Sequence, residues 1–195
     1  MRVSIFGLGY VGTVCAACFA QAGHTVIGVD IDPRKLDVLK SGRSPIVEPD
    51  LEEIIRRVVE QGQLRVTNSS IEAVHASDIS LVCVGTPSQP DGSPSLHAMQ
   101  RVCAEIGSAV RSKASTHVVV PRSTMLPGTT ETLLIPTLQE SSDRRLGDGL
   151  EVFYNPEFLR EGSSVQDFFH PSSIVIGHVH PSVAQPLIDL YAGVG

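Results

Sequence analysis

A chain of 195 residues, 42% of them apolar and 18% charged, has ordinary globular composition and enough apolar surface to bury a core. Its formal charge of −6, with no run rich in Lys or Arg, lacks the electrostatic footprint needed to bind a phosphate backbone, which argues against nucleic acid as a partner. No apolar run approaches the roughly 20 residues of a membrane helix, and Met1 leads straight into an apolar stretch without the features of a signal peptide. The four cysteines, Cys15, Cys18, Cys83 and Cys103, fall in apolar periodic segments, as buried reduced thiols do. The expectation is a cytoplasmic protein with no membrane partner.

The first thirty residues spell strand, turn, helix and strand. Val3 to Phe6 is apolar, GLGYVG follows, Val11 to Ala22 is small and helix-compatible, Gly23 stops the helix, and Thr25 to Asp30 is β-branched. Pro33 to Ser41 reads as a short helix with proline in its first turn, and Pro49 to Gln61 as a longer one with an apolar stripe of Leu51, Ile54, Ile55, Val58 and Val59. SGRSPIVEP between them is a loop. A short strand is predicted at Arg65 to Thr67, and Ser69 with Glu72 has capping-box spacing ahead of a brief helix. Ile79 to Val84 is a continuous apolar strand, the type buried on both faces of a parallel sheet.

After the polar loop TPSQPDGSPS come a helix from about Leu96 to Arg111 and a strand beginning at Val118 to Val120, where Pro121 cannot donate to a central ladder. Beyond Pro127 and Gly128 the pattern predicts a helix through Gln139. Then follow the turn SSDRRLGDG, short strands at Val152 to Tyr154 and Ile174 to Ile176, and a helix from Val183 to Tyr191. Strands alternating with helices predict an α/β fold of Rossmann type: a doubly wound, mostly parallel sheet with helices on both faces.

GLGYVG places Gly7, Gly9 and Gly12 on the GxGxxG pattern, directly after a strand and opening a helix. In that context the first glycine allows a tight turn, the second admits a pyrophosphate, and the third permits close helix–strand packing at a helix N-terminus. Asp30, ending the second strand, is placed to accept hydrogen bonds from the adenosine ribose and to repel a 2′-phosphate, which favours NAD over NADP. Arg34 and Lys35 follow closely enough to keep NADP open. Ligands of an open parallel sheet collect outside the carboxyl ends of its strands, which here carry Gly7 to Gly12, Asp30, Gly85-Thr86-Pro87, Ser123-Thr124 and Asn155-Pro156-Glu157.

Glu157 and Glu161 are spaced so that a helix would put both carboxylates on one face, with Arg160 as a candidate partner. Cys15 and Cys18 form a CxxC without a second Cys or His pair at zinc spacing, so helix packing is expected for them rather than a metal.

In this order FGLGYVG, SPIVEP, CVGTPS, RSTMLPGT and NPEFLREG span nearly the whole chain and resemble the N-terminal domain of the UDP-glucose/GDP-mannose dehydrogenases. The SPIVEP and RSTMLPGT wording resembles the GDP-mannose 6-dehydrogenase branch more than the UDP-glucose one. The resemblance implies NAD as cofactor, with Tyr10 and Val11 at the pyrophosphate turn, Asp30 and Lys35 at the adenosine ribose, and Thr86 and Thr124 near the nicotinamide. It further implies that Glu157, Phe158, Leu159, Arg160 and Glu161 reach the sugar. Glu157 is then the expected base, with Thr124 beside the reacting atoms, and Glu161 binds substrate.

Such enzymes oxidise a sugar C6 hydroxyl to a carboxylate in two steps through a thioester on a cysteine. That cysteine, with a lysine and an asparagine, is expected in sequence after Gly195. Residues 1–195 are thus expected to be the NAD-binding part of a longer, homo-oligomeric enzyme that also has a helical middle domain and a second nucleotide-binding domain. Two departures stand out: Asp50 replaces a usual glycine, and Pro121 replaces an apolar β-former. Competing readings are a UDP-glucose 6-dehydrogenase, a β-hydroxyacid dehydrogenase, which leaves NPEFLREG and RSTMLPGT unexplained, and a stand-alone NAD-binding module.

Overall fold

Among residues 1–178 and 184–194, which the computed structural model describes, seven strands form one sheet: β1 (Arg2–Phe6), β2 (Thr25–Val29), β3 (Leu64–Thr67), β4 (Ile79–Val82), β5 (His117–Pro121), β6 (Leu150–Tyr154) and β7 (Gly177–His178). Their order is β3-β2-β1-β4-β5-β6-β7, parallel throughout except for the antiparallel β6–β7 edge. Winding reverses between β1 and β4, which creates a switch point at the carboxyl ends of those two strands. This is the doubly wound, mostly parallel architecture predicted from the alternation of strands and helices.

Side chains alternate across the sheet and build two cores. Val118 and Val120 of β5 pack, with Val3, Ile5 and Leu81, beneath α1 (Tyr10–Gln21) and α3 (Leu51–Glu60). Val119, with Phe6, Ile27 and Val82, packs on the opposite face under α5 (His97–Arg111) and α6 (Ile135–Ser142). The shorter helices are α2 (Pro33–Lys40), α4 (Ser70–His75), α7 (Ser164–Phe169) and α8 (Gln185–Leu190). Ser69 caps α4 by accepting from the Glu72 amide at 3.2 Å, as its spacing predicted.

Several boundaries move. β4 ends at Val82 rather than Val84, so Cys83 lies beyond the strand. Pro121 closes β5: the next residue, Arg122, donates to Val82 O at 2.9 Å, and the Pro121 carbonyl accepts from Asn155 at 3.1 Å. Its missing N–H interrupts the β5–β6 ladder, whose paired residues run only to Val119, while on the other side Pro121 stays in register with Val82 of β4. Ile174 to Ile176 is not a strand. The edge strand is instead Gly177–His178, and the Val175 carbonyl is taken by the Asn155 side-chain amide at 2.8 Å. A π-helical turn, Thr130–Leu134, precedes α6, whose second residue, Pro136, has no N–H to give to the preceding turn. The last helix is Gln185–Leu190; Val183, the residue at which it was expected to begin, lies outside the described residues.

A buried polar line crosses the middle of the sheet. Ser4 and Ser80 hydroxyls lie 2.7 Å apart, Ser80 is 2.7 Å from His117 Nε2, and Lys113 Nζ donates to His117 Nδ1 at 2.8 Å. Burial, aided by the Lys113 charge, pushes the imidazole down to about 3, so it is neutral at physiological pH. Because its folded pKa lies below the ordinary 6.5, its contribution to stability is complete above that value and declines as pH falls toward 3. Urea unfolding at pH 7 and pH 5 checks this: His117→Gln should lose about 2 kcal/mol less over that interval than the native chain. Equal losses would show that His117 does not titrate on unfolding.

Candidate cofactor and substrate site

The phosphate turn leaves β1 through Gly7, whose φ of +90° suits glycine and whose amide donates to Val29 O at 2.8 Å. A Cβ on Gly12 would stand 1.8 Å from Gly7 O, so only glycine lets α1 start this close to β1. At Gly9 the same added atom would meet nothing within 4 Å, leaving open space in front of the first amides of α1. Gly9 also provides no capping side chain, so those donors remain available to an anion.

Asp30 closes the other side of this cleft. It is only 8% exposed, and it accepts from the Leu8 amide at 2.7 Å, the Asp32 amide at 2.9 Å and Lys35 Nζ at 3.1 Å. Gly7, Gly9, Asp30, Lys35, Cys83 and Gly85 are among the residues lining about 270 Å³. Tyr10 and Val11 open α1 beside that cleft rather than lining it. Arg34 turns to Asp32 at 3.0 Å and is largely exposed.

Farther along the edge, Thr86 Oγ1 donates to Thr124 O at 3.0 Å, so the two threonines form one wall of a second hollow of about 260 Å³.

The segment after β6 overturns one expectation. Asn155 to Arg160 is irregular and residues 161–163 turn, so Glu157 and Glu161 do not share a helix face. Three local causes act together. Asn155 precedes Pro156, which disfavours helical backbone; Glu157 Oε2 captures the Leu159 amide at 2.7 Å; and Arg160 pairs with Asp167 at 2.6 Å instead of with either glutamate. The hydrogen-bonded Arg160 guanidinium holds the Asp167 carboxyl well below the usual carboxylate range.

Glu157, Phe158, Leu159 and Arg160 line a cleft of about 400 Å³ together with Arg122, Asn155 and Tyr191. Phe158 is 58% exposed, and Glu161 is exposed outside that lining.

Two residues that organise the site were not singled out from the sequence. Arg122, 4% exposed, donates to Asn155 Oδ1 and to the Tyr191 hydroxyl, tying the ends of β5 and β6 to the C-terminal end of α8. Glu48, in the SPIVEP loop, bonds to Tyr10 and to the backbone of Gly162 and Ser164. An acidic residue within an otherwise apolar SPIVEP was the available hint.

Residues 1–194 match the UDP-glucose/GDP-mannose dehydrogenase family, NAD binding domain. GDP-mannose 6-dehydrogenase of Pseudomonas savastanoi pv. phaseolicola is 47% identical over 98% of this chain and 44% of that protein. UDP-glucose 6-dehydrogenase of Haloferax volcanii is 41% identical over the same shares. A crystal structure of a ternary complex of GDP-mannose dehydrogenase from Pseudomonas aeruginosa superposes with TM-score 0.97 at 44% identity, covering 100% of this chain and 44% of that one. The chain belongs to the UDP-glucose/GDP-mannose dehydrogenase family. It is a NAD-binding domain, and it spans less than half the length of these relatives.

Within the family pattern, Asp50 proves to occupy left-handed backbone, φ 62°, which explains why glycine is usual there and why Asp, among the more tolerant L residues, is accepted. All four cysteines are free and buried. Burial pushes the Cys103 thiol up to about 12, and Cys18 goes up for the same reason. Cys15 lies inside α1 packing with no exposure.

The Asp30 geometry has a consequence for selectivity. Asp30→Asn should weaken NAD+ binding at least about tenfold while changing NADP+ binding much less, because the charge that repels a 2′-phosphate goes with the acceptor. Calorimetric titration with both cofactors measures this. A native chain that bound the two equally would remove Asp30 from the ribose site.

Proposed function

We propose that this chain carries the cofactor half of a nucleotide-sugar 6-dehydrogenase, which oxidises a sugar C6 hydroxyl to a carboxylate in two steps. The observation that supports the reading most directly is placement. The phosphate turn, the Thr86–Thr124 wall and the Glu157 cleft follow one another along the carboxyl edge of the sheet. The open space at Gly9 and the ribose acceptor at Asp30 fit NAD+, which when bound supplies a hydride acceptor.

In this reading Tyr10, Val11, Gly7, Gly9 and Gly12 hold the pyrophosphate, Asp30 and Lys35 the adenosine ribose, and Thr86 and Thr124 the nicotinamide end. Glu157 takes the proton from the C6 hydroxyl. With Oε2 committed to the Leu159 amide, the carboxylate is fixed in direction and Oε1 is left to act. Thr124 flanks the reacting atoms, while Phe158, Leu159, Arg160 and Glu161 contact the sugar nucleotide. Holding both reactants in one geometry supplies much of the acceleration.

GDP-mannose, oxidised to GDP-mannuronate, is the substrate favoured by the GDP-mannose 6-dehydrogenase relative at 47% identity; UDP-glucose is the alternative, supported by the 41% relative. The complete enzyme in this proposal is cytoplasmic and homo-oligomeric. Beyond the present chain it has a helical middle domain and a second nucleotide-binding domain that brings the thiol for the second oxidation. Among the described residues no helix is long and apolar enough to cross a membrane.

Residues 1–195 alone should bind NAD+ yet form no NADH with GDP-mannose or UDP-glucose above a no-enzyme control, since none of the four buried thiols can reach a substrate. In the enzyme carrying all its domains, Glu157→Gln should lower kcat by about 10²- to 10⁴-fold. Steady NADH production by residues 1–195 that Cys83→Ser abolished, or full activity of Glu157→Gln, would contradict the proposal.

A further inference from the structure

The loop between α2 and α3 lines neither the NAD cleft nor the Glu157 cleft, yet one of its side chains touches the elements that build both. Glu48 is 8% exposed. Its Oε2 accepts from the Tyr10 hydroxyl and, at 2.9 Å, from the Gly162 amide, while Oε1 accepts from the Ser164 amide at 2.7 Å. The Tyr10 hydroxyl itself accepts from the Gly162 amide at 3.2 Å and lies 3.2 Å from the Ser164 hydroxyl.

Among the described residues no Lys or Arg is ion-paired with Glu48. A carboxylate taken out of water without a cation is costly unless hydrogen bonds to the charged form offset the loss. Here they do. Burial pushes the Glu48 carboxyl up, but the bonds from Tyr10, Gly162 and Ser164 together hold it below its ordinary value. The charge is thus sustained by donors from two separate parts of the chain, and displacing either set exposes the other to the cost of an under-bonded buried carboxylate.

The positions of those donors give the arrangement its meaning. Tyr10 is the first residue of α1, immediately after Gly9. Gly162 directly follows Glu161, and Ser164 is the first residue of α7. We propose that Glu48 is a positioning residue that couples occupancy of the phosphate turn to the placement of the 157–164 segment. NAD+ resting against the start of α1 restricts the Tyr10 phenol, the phenol restricts the carboxylate, and the carboxylate restricts the Gly162 and Ser164 amides. By linkage the effect is reciprocal: any ligand that orders the segment tightens NAD+ by the same factor. The proposal rests on the family's cofactor site and does not depend on which sugar the segment meets.

A purely structural staple would hold the segment equally with and without cofactor, and that difference is measurable. Amide hydrogen exchange at residues 162–164 should be followed with and without saturating NAD+ in the native protein, Glu48→Gln and Tyr10→Phe, with NAD+ affinity taken by calorimetry on the same samples. In the native protein NAD+ should slow exchange of the Gly162 and Ser164 amides by about five- to a hundredfold, the usual span of coupling between sites. Glu48→Gln should still bind NAD+ but lose most of that slowing; Tyr10→Phe, followed at an NAD+ concentration that saturates its own measured affinity, should lose it too, and combining them should remove little more than either alone.

NAD+ binding without slowing in the native protein would overturn the coupling and leave the cofactor site standing, whereas failure to bind NAD+ would overturn both. Undiminished slowing in Glu48→Gln and Tyr10→Phe would show that Glu48 does not carry it. Should Glu48→Gln fail to fold, Tyr10→Phe, which removes a single oxygen, decides alone.

Discussion

One carboxylate sets the geometry on which the cofactor half of this molecule depends. Asp30 ends β2, yet its Oδ2 reaches across to accept the amide of Leu8 in the middle of the phosphate turn, while Oδ1 holds the amide of Asp32. The turn passes so close to neighbouring backbone that Gly12 has no room for a Cβ, and it needs a fixed anchor to stay in that register. Leaving the Leu8 or Asp32 donor unbonded there would cost about 1–3 kcal/mol each, so Asp30 keeps the glycine turn in shape. Lys35, at 3.1 Å, offsets part of the buried charge without consuming both oxygens.

The Glu157 cleft is positioned differently, by contacts between elements far apart in sequence. Arg122 leaves the end of β5 and reaches Asn155 at the end of β6 and Tyr191 beyond α8. Asn155 in turn accepts from the Tyr191 hydroxyl at 2.6 Å and donates to Val175. Tyr191 stacks edge-on against Phe19 of α1, with ring centroids 5.4 Å apart, and Phe19 meets Phe168 of α7 in the same way at 4.8 Å. The NPEFLREG segment is thus bracketed by Arg122 at its start and by Glu48 at its end. Neither bracket is local, and both lead back to α1, the helix that starts at the phosphate turn.

This division explains what could be read from the sequence. The alternation of strands and helices, the GLGYVG turn, Asp30 and the Ser69 cap depend on short-range patterns, a period of two or 3.6 or a fixed offset, and each appears in the structure where its pattern put it. Thr86 and Thr124, marked as strand-end residues and expected near the nicotinamide from the resemblance, are brought into contact because β4 and β5 are neighbours. Glu157 and Glu161 misled because a four-residue spacing says nothing of helix formation when Asn155-Pro156 biases the entry and Glu157 captures its own backbone two residues on. Arg122 and Glu48 were silent because a buried ion is recognised by its partners, and theirs lie 33 to 116 residues away.

Ile174 to Ile176 has β-branched residues suited to a strand, but the Asn155 amide claims a carbonyl there, and pairing with β6 begins only at Gly177. Asp50 and Pro121, which looked like departures from the family pattern, proved to be tolerated for reasons of backbone geometry: a left-handed position in one case and the end of a ladder in the other.

The central claim is that the Asp30-anchored turn is where the cofactor lies, with its pyrophosphate at the start of α1. A crystal structure of the protein grown with NAD+ tests it most directly. The account predicts pyrophosphate oxygens within hydrogen-bond distance of the amides that follow Gly9, and the adenosine ribose hydroxyls on Asp30, with the Asp30 to Leu8 bond retained. Cofactor density elsewhere on the molecule, or a ribose that left Asp30 without contact, would contradict it.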